Sequence, residues 1–304
     1  TPGVGPRDTL GVVQRCAVAM LLVCAGCRFS VHAVEGIGAS DDLATTDSID
    51  LAIVDPPDLG PGDLATGSPD LTPDPCGSPP PLAAGSVAAQ CVIGSPPTID
   101  GNLADWPLGQ FATLSKSTAA QNSGTWGTAV PDDANASARF FVRWDLAYLY
   151  VAVAVTDDVR NTPVTGSSTA ALTDNDAVEI FVDGQHDRGG AYGADDWQLI
   201  YSADTQRQAA QSSIVTFPSG THEAWGGTSP AWTLEAAIPW SLLGGSAASA
   251  GRIVGFDLKL DDNDAGTMRD RDLILYYDAP NGGGSCQAPY CRTDAFGAVQ
   301  LQGR

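Results

Sequence analysis

The sequence predicts an all-β protein: an antiparallel, jelly-roll-like β-sandwich behind a signal segment and a disordered tether. Three observations carry this. Short apolar-alternating runs recur from residue 111 to the C-terminus. Gly- and Pro-rich turns separate them, such as Asp183-Gly and Asn281-Gly-Gly-Gly. No segment sustains a helical period. Many short strands with such turns define sandwiches rather than α/β folds.

The first element is a targeting segment over 1–27. Arg7 and Arg15 precede the apolar run Ala17-Val-Ala-Met-Leu-Leu-Val23, which ends in Cys24-Ala-Gly-Cys27. A short apolar run behind positive charge and before small residues is a secretion signal, and it is too short to span a bilayer. Small residues directly before a cysteine resemble a lipoprotein cleavage site, so Cys27 is the expected lipidated residue. Arg28 follows it rather than aspartate, and the expected destination is the bacterial outer membrane. Contact with the membrane is expected through the lipid alone. The chain opens on Thr1, so its start is expected upstream.

The second element, over 28–95, is a tether. Residues 28–75 hold ten acidic residues against one basic residue, Arg28, and Asp-Leu steps alternate with prolines. Apolar residues are too sparse there to bury a core, so the segment is expected to be disordered and to add nothing to the fold.

The third element, over 96–304, is the sandwich. Strands are predicted at 111–116, 139–144, 148–156, 177–183, 197–203, 212–217, 232–238, 253–260, 273–277 and 297–301, with one helical turn at 239–243. In Tyr148-Leu-Tyr-Val-Ala-Val-Ala-Val155, Leu149, Val151, Val153 and Val155 share one face. In Asp176-Ala-Val-Glu-Ile-Phe-Val-Asp183, Val178, Ile180 and Val182 do the same. The opposite face is aromatic and acidic, a surface able to hold a polar ligand. By this parity Glu179 points away from the core, with its carboxylate free to accept hydroxyl hydrogen bonds.

Seven cysteines fit an exported chain. Cys16 and Cys24 leave with the signal and Cys27 carries lipid, so Cys76, Cys91, Cys286 and Cys291 remain for two disulfides. Four cysteines allow three pairings. The sequence-local one, Cys76–Cys91 and Cys286–Cys291, is expected because short loops close most readily. Zinc is a poor fit: the four remaining cysteines form no Cys-x-x-Cys, since Cys24-Ala-Gly-Cys27 belongs to the signal segment, and His32, His186 and His222 are scattered.

Charge narrows the partners. Fifteen Lys and Arg stand against 36 Asp and Glu, a formal charge of -21. Such a surface repels phosphate backbones, which excludes nucleic acid. The oxygen-rich stretch from Asp257 to Asp272 suits a hard cation, and Asp261-x-Asn263-x-x-Gly266 partly echoes a calcium loop. Asp257, Asp261 and Asp264 are the candidate ligands of a structural calcium ion. Asp132-Asp133, Asp157-Asp158 and Asp174-Asn-Asp176 are further candidates. No Gly-x-Ser-x-Gly, His-Glu-x-x-His or phosphate loop is present, so no catalytic residue is assigned.

Seven Trp and seven Tyr are the more telling group. Aromatic rings bury the C–H faces of sugars while carboxylates and amides bond their hydroxyls. Trp106, Trp144 and Trp240 lie in strand-like or capping contexts and are expected in the core. Trp225, between His222-Glu223 and Gly226-Gly227, and Tyr290, inside the Cys286–Cys291 loop, are the surface candidates.

In order along the chain, the landmarks are Pro97-Thr-Ile-Asp-Gly101 with Asp105-Trp106, Val142-Arg-Trp-Asp145 with Tyr148-Leu-Tyr-Val151, and Asn175-Asp-Ala-Val-Glu-Ile-Phe-Val-Asp183. Then follow Leu234-Glu-Ala-Ala-Ile-Pro-Trp240, Ile253-Val-Gly-Phe-Asp257 and Phe296-Gly-Ala-Val-Gln-Leu301. This set resembles carbohydrate-binding module family 9 over residues 96–302. The resemblance implies a sandwich, often with bound calcium, that binds sugars and polysaccharide ends and accompanies xylanases. It places Glu179 and Gln198 at polar positions of the sugar site and Tyr290 at one wall of an aromatic clamp. The other wall falls near Thr173, which cannot stack, and an arginine position is filled by Ile200. Trp197 or Trp225 is the expected substitute wall.

The reading is therefore a monomeric, exported module that binds a polysaccharide or oligosaccharide without catalysis. A glycoside hydrolase is the alternative, and a surface adhesion or structural module without sugar binding is the third reading.

Overall fold

The computed structural model describes residues 74, 76–78, 80–122, 128–165, 171–211, 213–276 and 288–303. The signal segment, Cys27 and the tether up to residue 73 lie outside the described residues, as does Cys286.

The strands are β1 (Ser86–Cys91), β2 (Ala112–Leu114), β3 (Ala136–Trp144), β4 (Tyr148–Asp157), β5 (Ala177–Asp183), β6 (Asp196–Ser202), β7 (Arg207–Ala210), β8 (Ile214–Val215), β9 (His222–Gly226), β10 (Trp232–Pro239), β11 (Ile253–Asp262), β12 (Arg271–Ile274) and β13 (Gly297–Gln302). They pair in the order β8-β7-β6-β5-β11-β13-β1-β3-β4-β10-β9, with β12 on β11 and β2 on β3. The pairings are antiparallel except at β1, which runs parallel to both β13 and β3.

The sheet curls so that its two halves share one core. Val178, Ile180 and Val182 of β5 and Phe256, Leu258 and Leu260 of β11 meet Val151 and Val153 of β4 and Leu234 and Ile238 of β10. Phe140 of β3 stacks on Phe256 of β11 with centroids 6.2 Å apart. The alternation predicted for β4 and β5 is thus the inward face of an all-β sandwich.

The outward faces differ between the halves. Over β3, β4 and β10 the outward residues Phe141, Tyr150, Ala152 and Ala237 form a second apolar cluster with Leu103 and Trp106. The segment 97–111 covers much of this face. Glu235 holds that cover in place. Its carboxylate accepts from the Trp106 indole (2.6 Å) and the backbone amides of Asp100 (2.9 Å) and Gly101 (2.5 Å). Gly101 has φ +84°, and a Cβ there would meet the Trp225 carbonyl at 2.2 Å, so glycine is required. Over β5, β6, β7 and β11 the outward face is covered as well, but the cover leaves a cavity.

Two corrections concern organisation. The fold does not begin at residue 96: β1 lies earlier and is an interior strand. Cys91 at its end is disulfide-bonded to Cys76, across a separation of 15 residues. Its Ser-Val-Ala-Ala-Gln-Cys sequence lacks strong alternation because it is small-residue rich, which hid it among the surrounding prolines and glycines. The polar strand β7 and the edge strand β9 were likewise unmarked by hydrophobic period, and the predicted strand at 212–217 is observed at Ile214–Val215.

Candidate functional site

Four neighbouring strands, β7, β6, β5 and β11, lay the floor of the site. Register sets Lys259 beside Glu179, Glu179 beside Ile200, and Ile200 beside Gln208. One row along lie Phe181, Gln198 and Ala210. Ala171 and Thr173 come from the 3-10 turn region at Leu172–Asp174, Arg269 from the β11–β12 connection, and Tyr290 from the segment before β13. Together they enclose a cavity of about 280 Å³.

Ionic contacts fix the floor. The Lys259 ammonium donates to Glu179 Oε1 (2.6 Å) and Asp261 Oδ1 (2.5 Å) and lies 3.6 Å from Asp272. Arg269 Nη1 bonds Asp261 and stands 3.6 Å from Glu179. Gln198 donates its amide to the other Glu179 oxygen. Burial by itself raises a carboxyl pKa, but the ammonium of Lys259 and the guanidinium of Arg269 outweigh it and hold Glu179 at about 2. For Lys259, burial lowers the pKa and Asp261 and Glu179 more than offset it.

Tyr290 is the aromatic member. Its ring centroid is 5.9 Å from the Lys259 nitrogen, within cation–π reach. The neighbouring Pro289 carbonyl accepts from the Tyr192 hydroxyl at 2.8 Å. Cys291 is disulfide-bonded.

Glu179, Gln198 and Tyr290 therefore meet in one cavity, with Thr173 and Ile200 at its lining. Glu179 is not free, however: it is fully buried and is the counter-ion of Lys259. Trp225 is elsewhere. Its ring packs against the main core, edge-on to Tyr201 at 6.1 Å. Trp197 also packs against the core, and its indole donates to the Leu242 carbonyl. Lys259 and Arg269 were missed. Lys259 carried a signal, being one of only two lysines in the chain and set between Leu258 and Leu260 in a strand.

The expected calcium trio is not brought together. Asp257 is fully buried and accepts from the amides of Leu258 (2.8 Å) and Tyr276 (2.9 Å). Asp261 is spent on Lys259 and Arg269. Asp264 instead gathers with Asp157 and Asp262, ligand atoms lying within 4.8 Å; Asp183, Asp195 and Asp196 form a second such group among the described residues. In the first group Asp262 Oδ1, Asp264 Oδ1 and the neighbouring Asn135 Oδ1 are buried without partners. Asn135 donates its amide to Asp264 at 2.8 Å, and Arg271 takes the other oxygens of Asp262 and Asp264. Burial, then mutual repulsion with Asp264 and Asp157, pushes Asp262 up to about 7. Unpartnered hard oxygens converging in this way fit a calcium-type cation.

The site is thus a cavity on one face of a sandwich, lined by an ionic pair, amides, hydroxyls, small apolar side chains and one aromatic ring. The chain belongs to the carbohydrate family 9 binding domain-like family, whose model matches residues 99–304. It is 30% identical over 216 residues to exoglucanase XynX of Acetivibrio thermocellus, covering 71% of this chain and 17% of that protein. It is 28% identical over 223 residues to endo-1,4-beta-xylanase A of Thermoanaerobacterium saccharolyticum, covering 73% and 17%. The chain thus spans only a small part of these curated relatives. A family 9 carbohydrate-binding module from Caldicellulosiruptor kristjanssonii, solved with cellotriose, shares the fold at a TM-score of 0.52 and 20% identity, covering 72% of this chain and 94% of that one. The same module with glucose gives 0.53 and 21%, covering 71% and 96%.

Proposed function

We propose that the domain binds carbohydrate without catalysis, in the cavity over β5, β6, β7 and β11. The carrying observation is Tyr290 standing over a floor whose polar groups are locked by the Glu179–Lys259–Gln198 network. A rigid polar floor and one ring meet the two surfaces of a sugar, its hydroxyl rim and its C–H face. The volume is near the lower limit of small-molecule sites, roughly 300–1,000 Å³. It suits a short oligosaccharide or a chain end rather than a polymer laid along the sheet. Family membership supports the reading, as do the xylanase names of relatives and the sugar complexes of the structural neighbours.

Binding is favoured over hydrolysis by the state of the carboxylate. Glycoside hydrolysis needs two working carboxyls about 5–9.5 Å apart. Among the described lining residues Glu179 is the one carboxylate, and Lys259 holds it. We also propose that Asp157, Asp262 and Asp264, with the Asn135 carbonyl, hold a structural calcium ion.

Titration calorimetry with glucose, cellotriose and xylo-oligosaccharides tests the site. Tyr290→Ala is expected to weaken binding by about 1–1.5 kcal/mol, roughly 5- to 10-fold. Unchanged affinity in that variant would place the site elsewhere.

A further inference from the structure

The cavity floor has two chemically different halves, and sheet register sets the line between them. On the β5–β11 side lie Glu179, Lys259 and Arg269, with the Tyr290 ring over Lys259. On the β6–β7 side lie Ile200 and Ala210, diagonal neighbours across the β6–β7 ladder, with Ala171 beside them. Ala171 is fixed there because the next amide, that of Leu172, donates to Gln208 Oε1 at 3.2 Å. Ile200 is backed by Leu172 and Ala177 in a small apolar cluster and is only 3% exposed. The two amides on this side are engaged: Gln198 of β6 gives its nitrogen to Glu179, and Gln208 of β7 gives its oxygen to Leu172. Thr173 and Ser213, both solvent-accessible, supply the hydroxyls on this side.

A sugar stacked on Tyr290, with its hydroxyls toward the ionic half, extends its far edge over Ile200, Ala171 and Ala210. A hydroxyl pressed there loses water and gains no partner from these three side chains, whereas a methyl group gains buried contact. We propose that this half is a methyl-accepting subsite, so that the preferred ligand is a sugar whose edge carries a methyl-terminated substituent, either a 6-deoxy carbon or an acetyl group. The inference rests on the sugar-site reading above.

Matched pairs test it on the whole chain. Glucose is compared with 6-deoxyglucose, and glucose with N-acetylglucosamine, by titration calorimetry. The methyl-bearing member of at least one pair is expected to bind tighter by roughly 10- to 100-fold, the range an apolar pocket achieves for one such group. The pair that responds tells the deoxy carbon from the acetyl group. Ala210→Ser, at a partly buried position, is expected to erode the preference, and Ile200→Thr to erode it further. Equal or weaker binding of both methyl-bearing sugars, with glucose still bound, overturns the subsite alone. So does a preference untouched by Ala210→Ser. No binding by any of the three sugars overturns the sugar-site reading, and this inference with it.

Discussion

Lys259 and Glu179 show how one pair sets both the site and its stability. Each is buried with 1% side-chain exposure; Lys259 is the nearest cation to Glu179, and it shares its ammonium with Asp261 at 2.5 Å. Removing Glu179 leaves Lys259 with Asp261 and Asp272, so the cost falls below the about 3–5 kcal/mol of a buried charge left wholly unpaired. Glu179→Ala is therefore expected to lower unfolding free energy by about 1–3 kcal/mol, measured by urea titration, and not merely to weaken binding. A variant as stable as the wild type would show that the pair contributes little. Asp257 gives a pH prediction. Burial pushes its carboxyl well above the usual range, and the backbone amides of Tyr276 and Leu258 only partly oppose this. A raised carboxyl favours the folded state below the unfolded value near 4 and loses that contribution as pH rises toward the folded value. Asp257→Asn keeps an acceptor for those amides and cannot ionise. Its stability relative to wild type should climb between pH 4 and 8, by at most about 1.4 kcal/mol per pH unit. A flat difference across that range would show that Asp257 does not titrate there.

At the scale of elements, β1 is the decisive strand. It bridges β13 and β3, the one place where the two halves of the sheet join, and it does so by parallel pairing on both sides. The Cys76–Cys91 bond closes a loop worth about 3 kcal/mol in the chain-entropy model. A chain cut to 96–304 loses both. It is expected to lack a cooperative thermal transition by circular dichroism, while a chain cut to 74–304 retains one. Cooperative unfolding of the shorter chain would show that β1 is dispensable. The segment 97–106 has a comparable role on the outer face, where the Glu235 carboxylate and the glycine-only approach at Gly101 make it a fixed cover rather than a loop.

For the whole molecule, the formal charge of -21 makes self-repulsion a general cost, and buried carboxylates concentrate it. Asp157, Asp262 and Asp264 concentrate it at the ends of β4 and β11, with Arg271 as their partial relief. A cation that binds the folded state alone stabilises it by about 2.7 kcal/mol at a hundredfold excess over its dissociation constant. Calcium is thus expected to raise the thermal midpoint and chelator to lower it. Asp262→Asn should abolish the response without loss of Tyr290-dependent sugar binding. A midpoint indifferent to calcium would leave the cluster as an Arg271-neutralised pair of loops.

The sequence by itself determined the sandwich. Alternation in β4 and β5 named their core-facing residues, because a period of two against a single core admits one register face. The family resemblance pointed to Gln198 and Tyr290, which line one cavity, and short-loop closure pointed to Cys76–Cys91. The tertiary structure decided what alternation cannot express. Parity says that Glu179 leaves the core, but whether it meets solvent or a cation depends on which strand lies beside it, and β11 comes from 80 residues further on. The same holds for Trp225, whose ring is claimed by Tyr201 across the fold, and for Asp264, which joins Asp157 rather than Asp257 and Asp261. Successive residues on a strand point to opposite faces, and residues on different strands meet only after the sheet curls. Periodicity is a local property that a sequence carries openly. Charge pairing across a curled sheet is a long-range one, and only the folded chain decides it.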